Sequence, residues 1–527
     1  MPAIVYLIGA GPGDAGLLTL RGRELLETCD VVVYDYLAND ELLAYARPDA
    51  EIIYVGKMGG DHTLSQQEIN ALLVSKAQQG KSVARLKGGD PYMFGRGAEE
   101  AEELVAADVN FEVVPGVTSA IAGPAYAGIP LTHRAFASSV CFATGHEDPT
   151  KPESAHNWKA LATGASTLVF FMGMKNLPSI VENLTRNGMD PLTPAALIRW
   201  GTTPDHRSVS GTLVDLPYLA EQGNFTAPSL IVIGNVVSAR EPLAWFEKKP
   251  LLGKGVVVTR SRDQASDIAR LLAANGARVV EFPTISIVPI PDTAPIRAAA
   301  CRLREYDWVV FTSPNGVLNF WREMDSLGLD ARALAPTNVA AIGPATAEAL
   351  LGKGIRADCM PRSFVAEDLL AHLTATGITG KRILIPRAET ARDVLPQGLT
   401  KAGAVVDVVP VYRTLPPSDR EKNAQKALTL FAEGKISYIT FSSSSTVTNF
   451  LDAIPVETLR QYPNLRFACI GPITAETLKK AGLPCHVMPD QYTVPALVTA
   501  VMEDATGQKI NDFFPHGKIG TPSPRSA

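Results

Sequence analysis

Three glycine-rich segments in the first quarter of the chain each follow a short apolar run. They are GAGPGD (Gly9 to Asp14), KGGDPYMFGRG (Lys87 to Gly97) and PGVTSAIAG (Pro115 to Gly123). Glycine removes the Cβ and lets a ligand approach the backbone. Such loops at the C-terminal ends of parallel strands line one crevice. The first loop departs from the dinucleotide fingerprint G-x-G-x-x-G, because Asp14 stands at the third glycine and Pro12 removes a backbone donor. Asp35, at the end of the second apolar run, stands where an NAD enzyme keeps its ribose-binding acid. From this loop alone, an NAD site and a ligand-free turn both stay open. Thr118 and Ser119 could cap a helix, but three such loops together argue for more than capping.

The second half of the chain carries a different signal, a repeat offset by 127 to 130 residues. FTSPNGVLNF (Phe311 to Phe320) matches FSSSSTVTNF (Phe441 to Phe450). IGPATAEALLGKGI (Ile342 to Ile355) matches IGPITAETLKKAGL (Ile470 to Leu483). Two similar lobes facing each other make a cleft. Thr312, Ser313, Ser443 and Thr474 follow apolar runs directly. Each is either a helix N-cap or a hydroxyl that, with a helix N-terminus, holds a carboxylate. No Ser/His/Asp set, catalytic Cys or metal triad accompanies them, so an enzyme here works by shape and electrostatics.

The elements that must position these residues are α/β throughout. Val5 to Ile8, Val31 to Tyr34, Val83 to Leu86 and Phe111 to Val114 read as buried parallel strands. Leu17 to Cys29, Ser65 to Gln79 and Gly97 to Ala107 read as amphipathic helices between them. Ser139 to Ala143, Thr167 to Phe171, Ala195 to Ile198 and Leu230 to Ile233 form a second set of strands, and Gly145 to Asn157 reads as a surface loop. In the second half VVVTR, WVVFTS, ILIPRAE and YITFSS are strands that end in polar residues. Lys248-Lys249-Pro250 marks a linker at 246–252, and 511–527 reads as a disordered tail.

Bulk properties narrow the partners. The 527 residues suffice for three or four domain-sized units, and a net charge of -5 gives no reason to expect nucleic acid. The six Cys are scattered without C-x-x-C, which fits free thiols in a reducing cytosol, and the eight His form no ligand-like spacing, so no metal is expected. No signal peptide or membrane-spanning apolar run is visible.

Residues 3 to 245 resemble the tetrapyrrole methylases, and within them the uroporphyrinogen-III C-methyltransferases. The resemblance rests on GAGPGDAGLLTLRG, VVVYDYL, GKMGGDHTLSQQEIN, RLKGGDPYMFGRG, VVPGVTSA, GIPLTHR, LVFFMG and PSLIVIGNVV. It implies two lobes with S-adenosyl-L-methionine between them, and two methyl transfers to ring carbons C2 and C7 of uroporphyrinogen III, giving precorrin-2. It places Pro12, Gly88, Gly89, Asp90, Met93, Thr118, Ser119, Met172, Gly201 and Ser229 around the cofactor, many through their backbone. Asp35 is the candidate carboxylate for proton loss. Arg85, Lys87, Arg96 and Arg134, with Lys57 behind them, are candidate partners for the substrate's carboxylates, and each could equally be a solvated surface charge.

Residues 251 to 507 resemble uroporphyrinogen-III synthase through VVFTSPNGV, AAIGPATAEAL, PRAETARDVLPQGLTKAGA, VVPVYRT, ITFSSSSTVTNF and CIGPITAETLKKAGL. This implies closure of linear hydroxymethylbilane with inversion of its last pyrrole, in two domains joined by a two-stranded connection. Tyr412 is the candidate proton donor to the leaving hydroxyl. Arg260, Arg387 and Arg392 are candidate carboxylate clamps.

The expected fold class is therefore α/β, a two-lobed methylase fold followed by a two-domain synthase fold, with doubly wound parallel sheets. The expected domains are 1–245 (lobes about 1–115 and 116–245) and 253–510 (about 253–285 plus 416–510, and about 288–411). The product of the second half is the substrate of the first, which points to a bifunctional cytoplasmic enzyme feeding sirohaem and cobalamin. The methylase resemblance suggests a homodimer through the first half. Two alternatives stay open: a methylase of a later corrin intermediate, and a second half that binds tetrapyrrole without catalysis.

Overall fold

The computed structural model describes residues 3–56, 64–146, 156–260, 262–361 and 366–509. It divides into two compact units that meet in sequence near Gly255. Most of the surface loop expected at Gly145 to Asn157, and the tail at 511–527, lie outside the described residues.

The first unit holds two five-stranded sheets. One contains β1 (Ile4–Gly9), β2 (Val31–Tyr34), β3 (Glu51–Tyr54), β4 (Ser82–Lys87) and β5 (Phe111–Val114) in the order β3-β2-β4-β1-β5. Its pairings are all parallel. Successive residues point to opposite faces. Ile8, Val32 and Leu86 therefore join one core, while Val5, Leu7 and Val33 join the other. The helix Gln66–Gln78 starts at a capping box, in which Ser65 and Glu68 each satisfy the other's backbone N–H.

The second sheet comprises β6 (Val140–Thr144), β7 (Thr167–Phe171), β8 (Pro194–Arg199), β9 (Arg207–Thr212) and β10 (Ser229–Ile233), ordered β6-β7-β10-β8-β9. Only β6 and β7 are parallel; β10 runs antiparallel to both β7 and β8, and β9 to β8. This sheet is mixed rather than parallel. Every residue of β10 is buried, and a strand buried on both faces reads the same in either direction.

The second unit also carries two sheets. One contains β11 (Gly255–Val258), β12 (Arg278–Glu281), β18 (Tyr438–Phe441) and β19 (Arg466–Cys469) in the order β12-β11-β18-β19. The other contains β13 (Ser286–Pro289), β14 (Trp308–Phe311), β15 (Asn338–Ala341), β16 (Arg382–Ala388) and β17 (Val405–Leu415) in the order β13-β17-β16-β14-β15. The chain leaves the first sheet after β12 and returns to it after β17. Strands β13 and β17 pair antiparallel, with Ser286 opposite Leu415 and Pro289 opposite Tyr412.

The sequence repeat has a structural counterpart. Ser313 and Ser443 are both extended N-caps, at φ -164 and -166, and each accepts a backbone N–H three residues on. Gly343 and Gly471 open their helices at φ -169 and -170.

Candidate active sites

In the first unit the loops after β1, β4 and β5 touch backbone to backbone. Gly11 N–H donates to the Gly89 carbonyl at 3.2 Å, and Gly89 N–H returns a bond to Gly11 at 2.7 Å. A Cβ on Gly116 would lie 2.6 Å from the Gly9 Cα, so the contact tolerates no side chain. Asp90 ties the junction together. Its Oδ1 accepts from the backbone of Tyr92 (2.8 Å) and Met93 (3.1 Å), and its Oδ2 from Gly116 N–H (3.0 Å). The Asp90 carboxylate thus shapes the loop.

Asp14, standing where a dinucleotide fingerprint has glycine, is a bridge. Its Oδ1 accepts from Gly16 N–H at 2.8 Å and its Oδ2 from the Tyr126 hydroxyl at 2.7 Å. Its own N–H donates to Thr202 Oγ1 at 3.1 Å. Burial, and then the Asp14 carboxylate, push the Tyr126 phenol up.

The second sheet contributes strained backbone. Met172 (φ 53), Trp200 (φ 48) and Thr202 (φ 74) occupy the left-handed region just past β7 and β8. Each such residue costs on the order of 1 kcal/mol, and strain of this kind clusters at functional sites. Met172 is half exposed, and Gly201, flanked by two strained residues, lies so close to Gly123 that a Cβ would be 2.8 Å from its Cα. Thr118 occupies the N-cap of the helix Ser119–Tyr126, yet its buried side chain makes no cap hydrogen bond, so capping does not account for it. Ser229 donates its hydroxyl to Thr226 O at 2.6 Å and is satisfied locally. Gly88 abuts Leu37, Pro12 is half-buried, and Met93 packs onto the core of the second sheet. Gly88, Gly89, Gly201, Thr118, Met93 and Met172 all present neutral groups, which would suit a zwitterionic sulfonium nucleoside better than a pyrophosphate.

Arg85 and Lys87 lie inside the first unit. Both are buried, because all six residues of β4 are. Arg85 donates from Nη2 to Asp35 Oδ2 at 3.0 Å and from Nε to Glu100 Oε1 at 3.3 Å, and Lys87 Nζ donates to the same Glu100 oxygen at 2.6 Å. Burial, then the Arg85 charge, holds the Lys87 ammonium below its usual value. Neither is a solvated surface charge: Arg85 is engaged by Asp35 and Glu100, and Lys87 by Glu100. Arg96, in the left-handed region at φ 59, is exposed and grips Glu99 with two bonds of 2.9 and 2.5 Å. Arg134 is exposed, and Lys57 lies outside the described residues.

Glu100, Thr202 and Tyr126 escaped the sequence reading. Glu100 was detectable: it lies on the Gly97–Ala101–Leu104 face of its helix, an acid on a buried stripe. The strain at Trp200 and Thr202 had no sequence signal.

In the second unit, Tyr412 O–H and Ser313 Oγ lie 3.1 Å apart, while Ser313 Oγ also accepts from Gly316 N–H at 3.0 Å. Tyr412 is buried in β17 opposite Ala388, beside a bulge at Arg387/Ala388. Arg387 spends its guanidinium on the Arg392 carbonyl (3.0 Å) and on Asp393 (2.6 Å), whereas Arg392 itself is exposed. Thr312 is half-buried beside Ser313. Arg260, Ser443 and Thr474 belong to the other sheet: Arg260 is half-buried, Ser443 is used as a cap, and Thr474 is buried in the first turn of the helix Pro472–Lys480.

Two family models match this chain. Residues 4–217 match the tetrapyrrole (corrin/porphyrin) methylases, and residues 266–499 match uroporphyrinogen-III synthase HemD. The porphyrin biosynthesis protein HemD of Ruminiclostridium josui is 39% identical over 508 residues, covering 95% of this chain and 98% of its own length. The S-adenosyl-L-methionine-dependent uroporphyrinogen III methyltransferase of Methanosarcina barkeri is 53% identical over 239 residues, which is 45% of this chain and 94% of that protein. A crystal structure of uroporphyrin-III C-methyltransferase from Thermus thermophilus, complexed with S-adenosyl homocysteine, is 38% identical. It covers 44% of this chain and 98% of its own, with a TM-score of 0.38.

Proposed function

The chain belongs to the tetrapyrrole methylases through its first half and to the uroporphyrinogen-III synthases through its second, and we infer that one polypeptide makes uroporphyrinogen III and then methylates it. The observation that carries this reading is that both family models match one chain, which a porphyrin biosynthesis relative matches over 95% of its length. The second half closes hydroxymethylbilane with inversion of the last pyrrole. The first half transfers two methyl groups to give precorrin-2 for sirohaem and cobalamin. A methylase of a later corrin intermediate is disfavoured, because relatives above 50% identity carry the uroporphyrinogen-III name.

For the methylase half we place S-adenosyl-L-methionine against Pro12, Gly88, Gly89, Met93, Thr118, Ser119, Met172 and Gly201, with Asp90 and Ser229 shaping the loops behind. When bound, the cofactor supplies an electrophilic methyl group. The residues then need to orient the pyrrole carbon, exclude water and remove a proton. Asp35 is the proton acceptor in this reading, held at one oxygen by Arg85. Arg96 and Arg134 are the exposed cations that remain for the substrate's carboxylates, and Lys57 belongs with them.

For the synthase half we assign Tyr412 as the proton donor to the departing hydroxyl, with Ser313 orienting its phenol. Thr312, Ser443, Thr474, Arg260 and Arg392 are carboxylate contacts in the same reading. Arg387 supports the loop from Arg392 to Asp393. We place the junction between the activities within 246–252 and assign the enzyme to the cytoplasm as a homodimer through the methylase half. Among the described residues no helix is long and apolar enough to cross a membrane.

The test is anaerobic turnover of hydroxymethylbilane by the whole chain, with and without S-adenosyl-L-methionine. Isomer III without cofactor and a dimethylated product with it are expected. Isomer I alone would remove the synthase assignment, and authentic uroporphyrinogen III left unmethylated would remove the other.

A further inference from the structure

Glu100 has no exposed surface, and its Oε2 has no hydrogen-bond partner among the described residues. A buried carboxylate with an orphan oxygen is expensive, and such groups persist where they do something. Among the described residues its side-chain partners converge on Oε1: Arg85 Nε at 3.3 Å, Lys87 Nζ at 2.6 Å and Gln66 Nε2 at 3.1 Å. Gln66 is itself anchored, to Asn70 Oδ1 at 2.9 Å. Arg85 bridges onward: while Nε faces Glu100, Nη2 reaches Asp35 Oδ2 at 3.0 Å and Nη1 holds the Leu86 carbonyl at 3.1 Å. Glu100 lies in the first turn of the helix Gly97–Ala106, whose N-terminal dipole favours its charge. Arg85, Lys87 and Glu100 are buried, whereas Asp35 meets solvent with a quarter of its side chain exposed, and Gln66 is half-buried.

We propose that Glu100 is a positioning residue for methyl transfer, acting through the Arg85 fork to hold the Asp35 carboxylate in one orientation. A guanidinium fork gripped at both ends has one arrangement, and a base must meet its proton within hydrogen-bond reach. Glu100 also offsets one of the two buried cations on β4, which keeps Asp35 from facing both uncompensated. The other titratable groups near this cluster are Tyr54, which faces Asp35, and Glu99 with Arg96 at the helix start. The proposal rests on the reading of Asp35 as proton acceptor.

The test uses the full chain, preformed uroporphyrinogen III and S-adenosyl-L-methionine, with S-adenosylhomocysteine affinity as the measure of an intact site. Glu100→Gln keeps the shape and removes the charge. Its expected effect is a fall in methylation kcat of about tenfold or more, with KM and S-adenosylhomocysteine affinity within about twofold. Arg85→Lys keeps a cation but cannot bridge both carboxylates, and it should lower kcat similarly. The double variant should then be no slower than Arg85→Lys alone, because both changes break one relay. An unchanged kcat in Glu100→Gln, or effects that multiply in the double variant, overturns the proposal. If Glu100→Gln does not fold, Arg85→Lys decides: full kcat there overturns the relay. Asp35→Asn run in parallel separates the two levels. Full activity of that variant removes the Asp35 assignment, whereas an inactive Asp35→Asn beside a normal Glu100→Gln removes only the role of Glu100.

Discussion

At the scale of single residues, the two halves use opposite strategies. In the methylase half, the site we propose sets backbone and neutral side chains beside Asp35, which pairs with buried Arg85, itself held together with Lys87 by Glu100. In the synthase half, Tyr412, the proton donor we propose, lies within hydrogen-bond distance of the Ser313 hydroxyl. Tyr412→Phe removes the proton and keeps the ring. Uroporphyrinogen-III formation should fall roughly 100-fold, the low end of what a positioned acid contributes. Methylation of preformed uroporphyrinogen III should not change. Product isomers resolved after brief reaction decide it, and undiminished isomer III would sink the role given to Tyr412. The arginines show the limit of reading residues singly: Arg85 pairs with Asp35 and Glu100 inside the first unit, while Arg387 pairs with Asp393 at the surface.

At the scale of elements, the loops matter more than the strands they leave. Gly9, Gly89 and Gly116 meet where three parallel strands end, and the meeting needs backbone against backbone. Gly116→Ala would place its Cβ against the Gly89 carbonyl and the Gly9 Cα, two backbone groups that cannot swing aside. Overpacking of this kind costs about 1–3 kcal/mol. The expected outcome is loss of S-adenosylhomocysteine binding in a calorimetric titration, with synthase turnover intact; retained affinity would show that the junction yields. Helix starts in the second half are similarly local. Ser443 closes a capping box with Thr446, so Ser443→Ala should lower stability by about 1 kcal/mol. Denaturant unfolding measures it, and no change in midpoint would mean that another group takes over the cap.

At the scale of the whole molecule, the segment leaving the methylase half is not a loose tether. Phe246 is buried against Tyr126, at 4.8 Å between ring centroids. Glu247 gathers His206 Nε2 at 3.0 Å, Arg240 Nη2 at 2.6 Å and the Ser208 hydroxyl. Burial alone would raise the Glu247 carboxyl, but the His206 and Ser208 hydrogen bonds and the Arg240 charge outweigh it and lower it to about 2 from the ordinary 4.5. A depressed carboxyl stabilises the fold above its unfolded value, and that contribution is lost as pH falls from about 4.5 through about 2. Limited proteolysis at 246–252 should therefore accelerate across this window. Glu247→Gln should cleave faster at neutral pH and flatten the acid dependence. Equal profiles for the two proteins would exclude Glu247 as the latch.

The amino-acid sequence by itself determined the α/β class, the two activities and the glycine-rich loops whose backbones meet. Those depend on local rules: apolar runs make strands, and glycine is needed where backbones touch. The repeat in the second half was legible for the same reason, since Ser313 and Ser443 perform the same cap. Tertiary structure decided what depends on distant partners. Strand direction in the second sheet was one such matter, because buried β10 carries no mark of orientation. The left-handed backbone at Trp200 and Thr202 was another, held partly by the Asp14 N–H bond to Thr202, 188 residues away in sequence. The fate of the charges was the third. An arginine on a strand looks like a ligand clamp until a buried acid such as Glu100, on another element, is found to hold it.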